Sequence, residues 1–371
     1  LKLGFFANFL SHPVISGFLT ASGLLIATSQ VANLLGISAP GFTVAELLPN
    51  LITSVTDTHA ATLAIGSGSL AFLVLMRRRG RQGLRAIGLP AGAADLLAKA
   101  GPVFAVILTT LVTWRFDLAN QGVAVVGDIP RGLPPLTLPV LDLSLWHELL
   151  VPALLLSVVG FVESVSMGQM LAAKRRQRIS PNQELIGLGT ANIAAAVSAG
   201  MPVTGGLSRT VINFDAGAQT PAAGTIAAIG IALVTVALTP LLYHLPVATL
   251  AATITVSILT LVDVKMIRQT WRYSRSDFTA MAATILLTLV EGVEAGIIAG
   301  VALSIGLFLY RTSRPHSALV GRVPGTEHFR NITRHDVESD SHVALLRIDE
   351  SLYFANARYL EDTVYALIAN R

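Results

Sequence analysis

Between Leu185 and Phe214 an apolar run is broken by Gly200, Pro202, Gly205 and Gly206, then resumes as the polar-dotted segment LSRTVINF. The surroundings of that break are hydrocarbon: 53% of the 371 residues are hydrophobic and 13% charged, and the mean hydropathy is +0.65. A soluble domain with an ordinary surface is excluded by such a balance. Backbone groups freed inside a bilayer must be satisfied by protein or by a water-lined cavity, so the interruption followed by a short half-helix predicts a substrate site. The restart offers unpaired N–H groups at Gly206 and Leu207, the positive end of a helix dipole, the Ser208 hydroxyl and the Arg209 cation. That set suits an anion.

The formal charge of +4 and a pI near 9.6 do not point to nucleic acid. The basic residues gather in short clusters beside apolar runs, where they set membrane topology. With no cysteine, disulfides, thiolate metal sites and a thiol nucleophile are excluded. The chain opens on Leu1 without the layout of a signal peptide, and further residues are expected upstream.

Taken in order, Val14 to Ile37 is the first expected span, with Pro13 at its start and Gly17 and Ala21 forming a small-residue face for close packing. Phe42 to Ser54 is expected to lie at the interface, and Asp57 to cap a second span ending at Met76. The run RRRGRQGLR, Arg77 to Arg85, then marks the cytoplasmic side. Lys99 to Arg115 returns outward to a proline-rich loop, Phe116 to Trp146, whose one basic residue is Arg131. His147 to Ala173 descends to KRRQR, Lys174 to Arg178; Leu185 to Met201 rises, the half-helix descends, Ala222 to Tyr243 rises, and Pro246 to Val262 descends to KMIRQTWRYSR. Asp277 to Val290 and Gly292 to Tyr310 are each short for a straight crossing and read as a tilted or re-entrant hairpin, with Gly296 and Gly300 suited to helix packing. About ten membrane elements result.

After Arg311 charges return. Val343 to Ile348 reads as a buried strand and Ala357 to Ile368 as an amphipathic helix capped by Asn356. One strand and one helix cannot close a core, so the chain is expected to stop inside a cytoplasmic domain.

Glu163 falls mid-span in SVVGFVESVSMGQMLA, where a carboxylate is costly and is expected to face a cavity or a partner. Ser164, Ser166 and Gly168 give its helix small and polar positions. The functional reading is protonation during transport or binding of a coupling cation, against a hydrogen bond between helices. Arg209 either attracts an anion directly or pairs with Glu163, with Ser208 and the Leu207 backbone in closer contact and Thr210 in support. For Asn192 and Asn213, satisfying freed backbone groups is favoured over touching substrate. Enzyme patterns fail: His147 opens HELLV without the second histidine of a zinc helix, and the glycines from Gly66 lie inside a span. Neither a paired catalytic constellation nor metal-ligand spacing is present, so no enzyme and no metal cofactor is expected.

The segments FFANFLSHPVISGFLTASGLLIATSQ, VESVSMGQMLA, ELIGLGTANIAAAVSAGMPVTGGLSRTVINFDAGAQT and RIDESLYFANARYLED resemble the SulP (sulfate permease-like) anion transporters with a C-terminal STAS domain, over nearly the whole chain. The resemblance implies an α-helical integral membrane protein of inverted seven-segment repeats, the first incomplete here, with core and gate domains and homodimers, followed by the start of an α/β STAS domain. It implies a transmembrane domain over residues 1–312 and a partial cytoplasmic STAS domain over 317–371, in a bacterial inner membrane. It also implies that Gly206, Leu207, Ser208 and Arg209 match the anion-site half-helix, that the partner half-helix of the first repeat lies outside this chain, and that Glu163 matches the acidic position tied to proton coupling. Sodium coupling goes with aspartate near that position and is disfavoured.

The expected function is therefore proton-coupled secondary transport of a small anion, sulfate, bicarbonate or dicarboxylate, by alternating access. A nucleobase-cation symporter is the rival within transport, opposed by Arg209 and the STAS-like tail. An anion-binding membrane sensor that moves nothing is the rival from another class.

Overall fold

The computed structural model describes residues 11–130, 132–206, 210, 213–214, 217–340 and 342–369. The chain divides into two compact units, Leu1–Val301 and Ala302–Arg371.

In the first unit, α1 (His12–Leu35) carries Pro13 in its opening turn and stops at Gly36, whose φ of 71° is the left-handed conformation that glycine adopts without strain. Helix α2 (Val44–Ser54) is capped by Thr43, whose side chain accepts from the Glu46 N–H. Helix α3 (Ala60–Leu75) comes next. Its cap is His59 rather than the expected Asp57: the imidazole Nδ1 accepts from the Thr62 N–H, while Asp57 lies in a single 3-10 turn just before. A π turn over Met76–Gly80 carries α3 into α4 (Arg81–Ala86). Helices α5 (Ala91–Lys99) and α6 (Gly101–Arg115) are bent by 56° at Ala100, so the expected third span is the second limb of a broken one.

Helix α7 (Leu143–Lys174) starts four residues earlier than expected because Asp142 caps it, accepting from the Ser144 N–H at 2.9 Å. Helix α8 (Pro181–Val197) ends before the glycine-proline break. After that break come α9 (Ala222–Ala237), α10 (Val247–Ile258), α11 (Val264–Tyr273), α12 (Arg275–Val290) and α13 (Val293–Ser313). Among the described residues five helices are long and apolar enough to cross a membrane, or six if the bent pair is one span; the ten elements expected also include shorter pieces such as the 16-residue α9 and α12. Glycine, proline and 3-10 turns interrupt apolar runs that hydropathy alone counts as whole, as where the run to Tyr243 breaks into α9 and a 3-10 turn at Thr239–Leu242. The last pair is corrected in the other direction: α13 has 21 residues and is long enough by itself.

Packing centres on α1, which lies against α12, α10 and α3. The small face expected at Gly17 and Ala21 makes this possible: Ala21 is fully buried, and a Cβ on Gly17 would stand 2.7 Å from Met281 Cγ and 3.1 Å from the Met281 carbonyl. Helix α3 meets α6 and α10 around Leu73, Ala105 and Ala252. Gly296 and Gly300 of α13 lie against Thr288 and Thr284 of α12, as their spacing suggests. Gly17→Leu is expected to cost about 1–3 kcal/mol by overpacking, because a helix backbone cannot yield as a side chain can. A thermal midpoint in detergent unchanged from the parent would refute this.

The second unit takes in the end of α13 and a small sheet. Strands β1 (Ser317–Arg322), β2 (Phe329–Asn331) and β3 (Leu346–Ile348) are antiparallel in the order β2-β1-β3, pairing Val320 with Asn331 and Ser317 with Ile348. β3 covers only the last three residues of the run expected as a buried strand and is not buried, Val343 and Leu345 being exposed, while α14 (Ala357–Ala369) is the expected amphipathic helix. Asn356 does not cap it with its side chain. Fully buried, its amide accepts from the Tyr353 N–H and donates to the carbonyls of Thr312 and Ser351, fixing the loop before the helix.

Asp349 joins the ends of β1 and β3, accepting from His316 Nδ1 and Arg347 Nε, each at 2.8 Å. The His316 hydrogen bond first, and Arg347 second, hold its carboxyl below the ordinary aspartate value of 3.8. A carboxylate depressed by folding stabilises above its unfolded value and loses that contribution as pH falls through the folded one. Amide exchange protection at Ser317 to Leu319 is therefore expected to hold from about pH 7 to about pH 4 and to decline below. Asp349→Asn should flatten that acid limb; an unchanged limb would count against the clasp.

Candidate functional site

The break expected between Leu185 and Phe214 is present. Residues 201–206 are neither helix nor strand, and the turn before them holds Ala199 at a φ of 51°. Three of the freed backbone groups, the Val203 N–H and carbonyl and the Gly205 N–H, are satisfied by side chains from the two preceding helices. Asn192 of α8 brackets Val203, its Nδ2 donating to the Val203 carbonyl at 2.9 Å and its Oδ1 accepting from the Val203 N–H at 3.0 Å. The same Nδ2 donates to the Leu188 carbonyl at 2.9 Å. The Thr204 hydroxyl donates to the Gly160 carbonyl of α7 at 2.9 Å, and the Gly205 N–H donates to Ser164 Oγ at 2.9 Å. Three successive residues are thus fixed between α7 and α8.

Beyond this segment Gly206 accepts from both the N–H (3.1 Å) and the hydroxyl (2.7 Å) of Thr210. This i to i+4 bond reaches across residues 207–209, which lie outside the described residues. Of the expected anion-binding set, Leu207, Ser208 and Arg209 lie outside the described residues. Asn213 and Phe214 are helical, and the Phe214 ring carries Arg175 Cζ at 4.4 Å and Lys174 Nζ at 5.9 Å from its centroid. This cation–π contact ties the far end of the segment to the basic end of α7.

Glu163 precedes Ser164 on α7 and is half-buried. Helix geometry places it about 7 Å past the midpoint of α7, toward Lys174, at about 1.5 Å per residue. No described residue forms an ion pair with it. Of the supporting residues, Ser164 and Asn192 hold the extended segment itself, and Thr210 spends its proton on Gly206. For Asn192 this is the role favoured from sequence. Two cavities reach Val203 and Thr204: one of about 460 Å³ between Leu156 and Ser157 of α7 and Leu188 and Asn192 of α8, and one of about 380 Å³ bordered by Ser164, Glu184 and Gly205.

Gly160 and Thr204 escaped the sequence reading. A signal was available: Gly160 and Ser164 are four apart and share a helix face, and a small-polar pair on one face of a membrane helix marks the close approach of another backbone. A Cβ on Gly160 would stand 2.7 Å from Thr204 Oγ1.

A family model described as the sulfate permease family matches residues 1–284. The chain belongs to that family. Among curated sulfate permease relatives, it is 32% identical over 366 residues to the chloroplastic sulfate transporter 4.1 of Arabidopsis thaliana, covering 98% of this chain and 52% of that one. It is 31% identical to a probable sulfate transporter of Mycobacterium tuberculosis, covering 96% and 61%. The chain therefore spans little more than half the length of such relatives. A solved structure of the murine Solute Carrier 26 family member A9 anion transporter in the inward-facing state superposes with a TM-score of 0.84 at 25% identity, covering 96% of this chain and 57% of the other. The α-helical membrane fold expected from sequence is the one that this sulfate permease relative shares, and the small sheet after α13 fits the start of the α/β domain expected there. The family is one of permeases, in keeping with the failure of every enzyme pattern.

Proposed function

We propose that the protein is a secondary transporter of a small anion, sulfate, bicarbonate or dicarboxylate, coupled to protons and working by alternating access. The reading puts the anion at the helix start of Gly206, Leu207, Ser208 and Arg209, with Glu163 taking up and releasing the coupling proton. The observation that carries it is the double anchoring of Val203 to Gly205, which holds a helix start beside the helix that bears Glu163. An anion there gains the helix N–H groups and dipole without a dedicated side-chain cage, so it can also leave.

Charge explains the coupling. An ionised Glu163 opposes an anion in the same low-dielectric region, whereas a protonated one does not, so anion and proton travel together. The relatives' names as sulfate transporters favour sulfate among the three substrates. On the same reading no cofactor is needed, residues 317–371 begin a cytoplasmic STAS domain, and the protein is a homodimer in a bacterial inner membrane.

Uptake of labelled sulfate, bicarbonate and fumarate into proteoliposomes of the full-length protein, with and without an inward proton gradient, tests this. Gradient-stimulated uptake of one anion supports the proposal and names the substrate. Binding of an anion without uptake of any would replace transport by sensing.

A further inference from the structure

The α4–α5 hairpin holds a cluster of cations that the transport reading does not use. Five arginines occupy nine residues, Arg77 to Arg85, on the π turn and α4 at the end of an apolar helix that runs unbroken from Ala60 to Ala86. Arg77 serves the fold, its Nη1 donating to the Val256 carbonyl at 2.9 Å in the last turn of α10, where helix carbonyls lack partners. In a regular helix Arg81 and Arg85 would follow Arg77 onto α10. The π turn holds about one residue more than an α turn and so rotates every later residue of the helix by about 100°. Arg78, Arg79, Arg81 and Arg85 are all exposed, and none makes a hydrogen bond or ion pair among the described residues. The neighbouring acid, Asp95, closes on Lys99 at 2.9 Å and feels Arg81 and Arg85 only through space, without an ion pair to either.

The hairpin is a built element. Ala94 of α5 is fully buried. A Cβ on Gly80 would meet Met76 Sδ at 2.5 Å and Ala98 Cβ at 3.4 Å, so α5 lies hard against the π turn. Two of its aliphatic side chains are left open, Ile87 at 78% and Leu96 at 70% exposed. The 56° bend at Ala100 turns α5 away from the axis of α6.

We propose that this hairpin binds an acidic phospholipid of the cytoplasmic leaflet, with Arg78, Arg79, Arg81 and Arg85 on the headgroup phosphate and Ile87 and Leu96 against the acyl chains. Guanidinium groups pair with phosphate through two parallel hydrogen bonds, and a basic cluster just past a membrane helix draws anionic headgroups. The two aliphatic side chains decide the source of the phosphate. A soluble polyanion leaves Ile87 and Leu96 in water, whereas a lipid covers them. Orientation by positive charge alone needs neither a folded hairpin nor apolar residues at its rim.

The test reads lipid retention and is independent of transport, so it stands or falls apart from the proposed function. Full-length protein is released from bilayers of equal phosphatidylglycerol and phosphatidylcholine, and the retained lipids are weighed by native mass spectrometry. The expected result is an excess of phosphatidylglycerol of about tenfold, lost when Arg78, Arg79, Arg81 and Arg85 are all changed to Gln. The pair Ile87→Ser and Leu96→Ser, which leaves charge and insertion signals intact, should lower retention of that lipid by about threefold. The same four-residue change to Gln at Lys174, Arg175, Arg176 and Arg178 should leave the excess in place. An excess that survives the first set and the aliphatic pair, or that the Lys174 to Arg178 set removes equally, overturns the site.

Discussion

Glu163→Gln in the full-length protein is expected to abolish the proton-gradient-dependent part of anion uptake, by about tenfold or more, while anion binding persists. Glutamine has the same length and keeps a carbonyl acceptor, so α7 has no reason to repack around it. What it cannot do is exchange a proton. On the proposed reading, an ionised Glu163 opposes the anion and a protonated one admits it, so a gradient would drive net movement. The variant is fixed in a neutral state, and anion should equilibrate without regard to the gradient. Uptake into proteoliposomes with and without an imposed pH difference measures this directly. Undiminished gradient stimulation in the variant would remove Glu163 from the coupling step.

The second large effect is expected at Asn192. Asn192→Leu fits the volume but strips the bracket from Val203, leaving its N–H and its carbonyl without their partner. Two lost backbone hydrogen bonds on a half-exposed residue are expected to cost about 1–3 kcal/mol together. Because Val203 leads directly to Thr204, Gly205 and the helix start, uptake should fall with it. Thr204→Val is the graded control, removing one donor from the Gly160 carbonyl for about 1 kcal/mol. A stability for Asn192→Leu no lower than for Thr204→Val would mean that the extended segment is held by other means.

The break itself was legible because glycine and proline act locally. Gly200, Pro202, Gly205 and Gly206 put four of the poorest helix formers into seven residues, and 201–206 are neither helix nor strand. Glu163 stands out in the sequence because a carboxylate in an apolar run is costly, and the structure places it half-buried on α7 with no ion pair among the described residues. The cap of α3 was misread for a reason of the same kind: Asp57 is the better capping residue by type, but a 3-10 turn carries the chain past it, and His59 stands at the helix start. Asn356 was misread because its amide is consumed by the carbonyl of Ser351 in the preceding loop and that of Thr312 in the last turn of α13, 44 residues away.

The sequence by itself determined the class of this protein. Hydropathy sums along the chain, so the membrane class, the interrupted apolar run and the change to a charged tail all come from neighbours in sequence. Only the tertiary structure decided what holds the break open for use. The Thr204 bond to Gly160 spans 44 residues and the Gly205 bond to Ser164 spans 41, and no local periodicity reports which of many glycine and serine positions will meet. Likewise, only folding sends Arg77 to α10 and leaves its four neighbours exposed, because one extra residue in a helical turn changes the direction of every side chain after it.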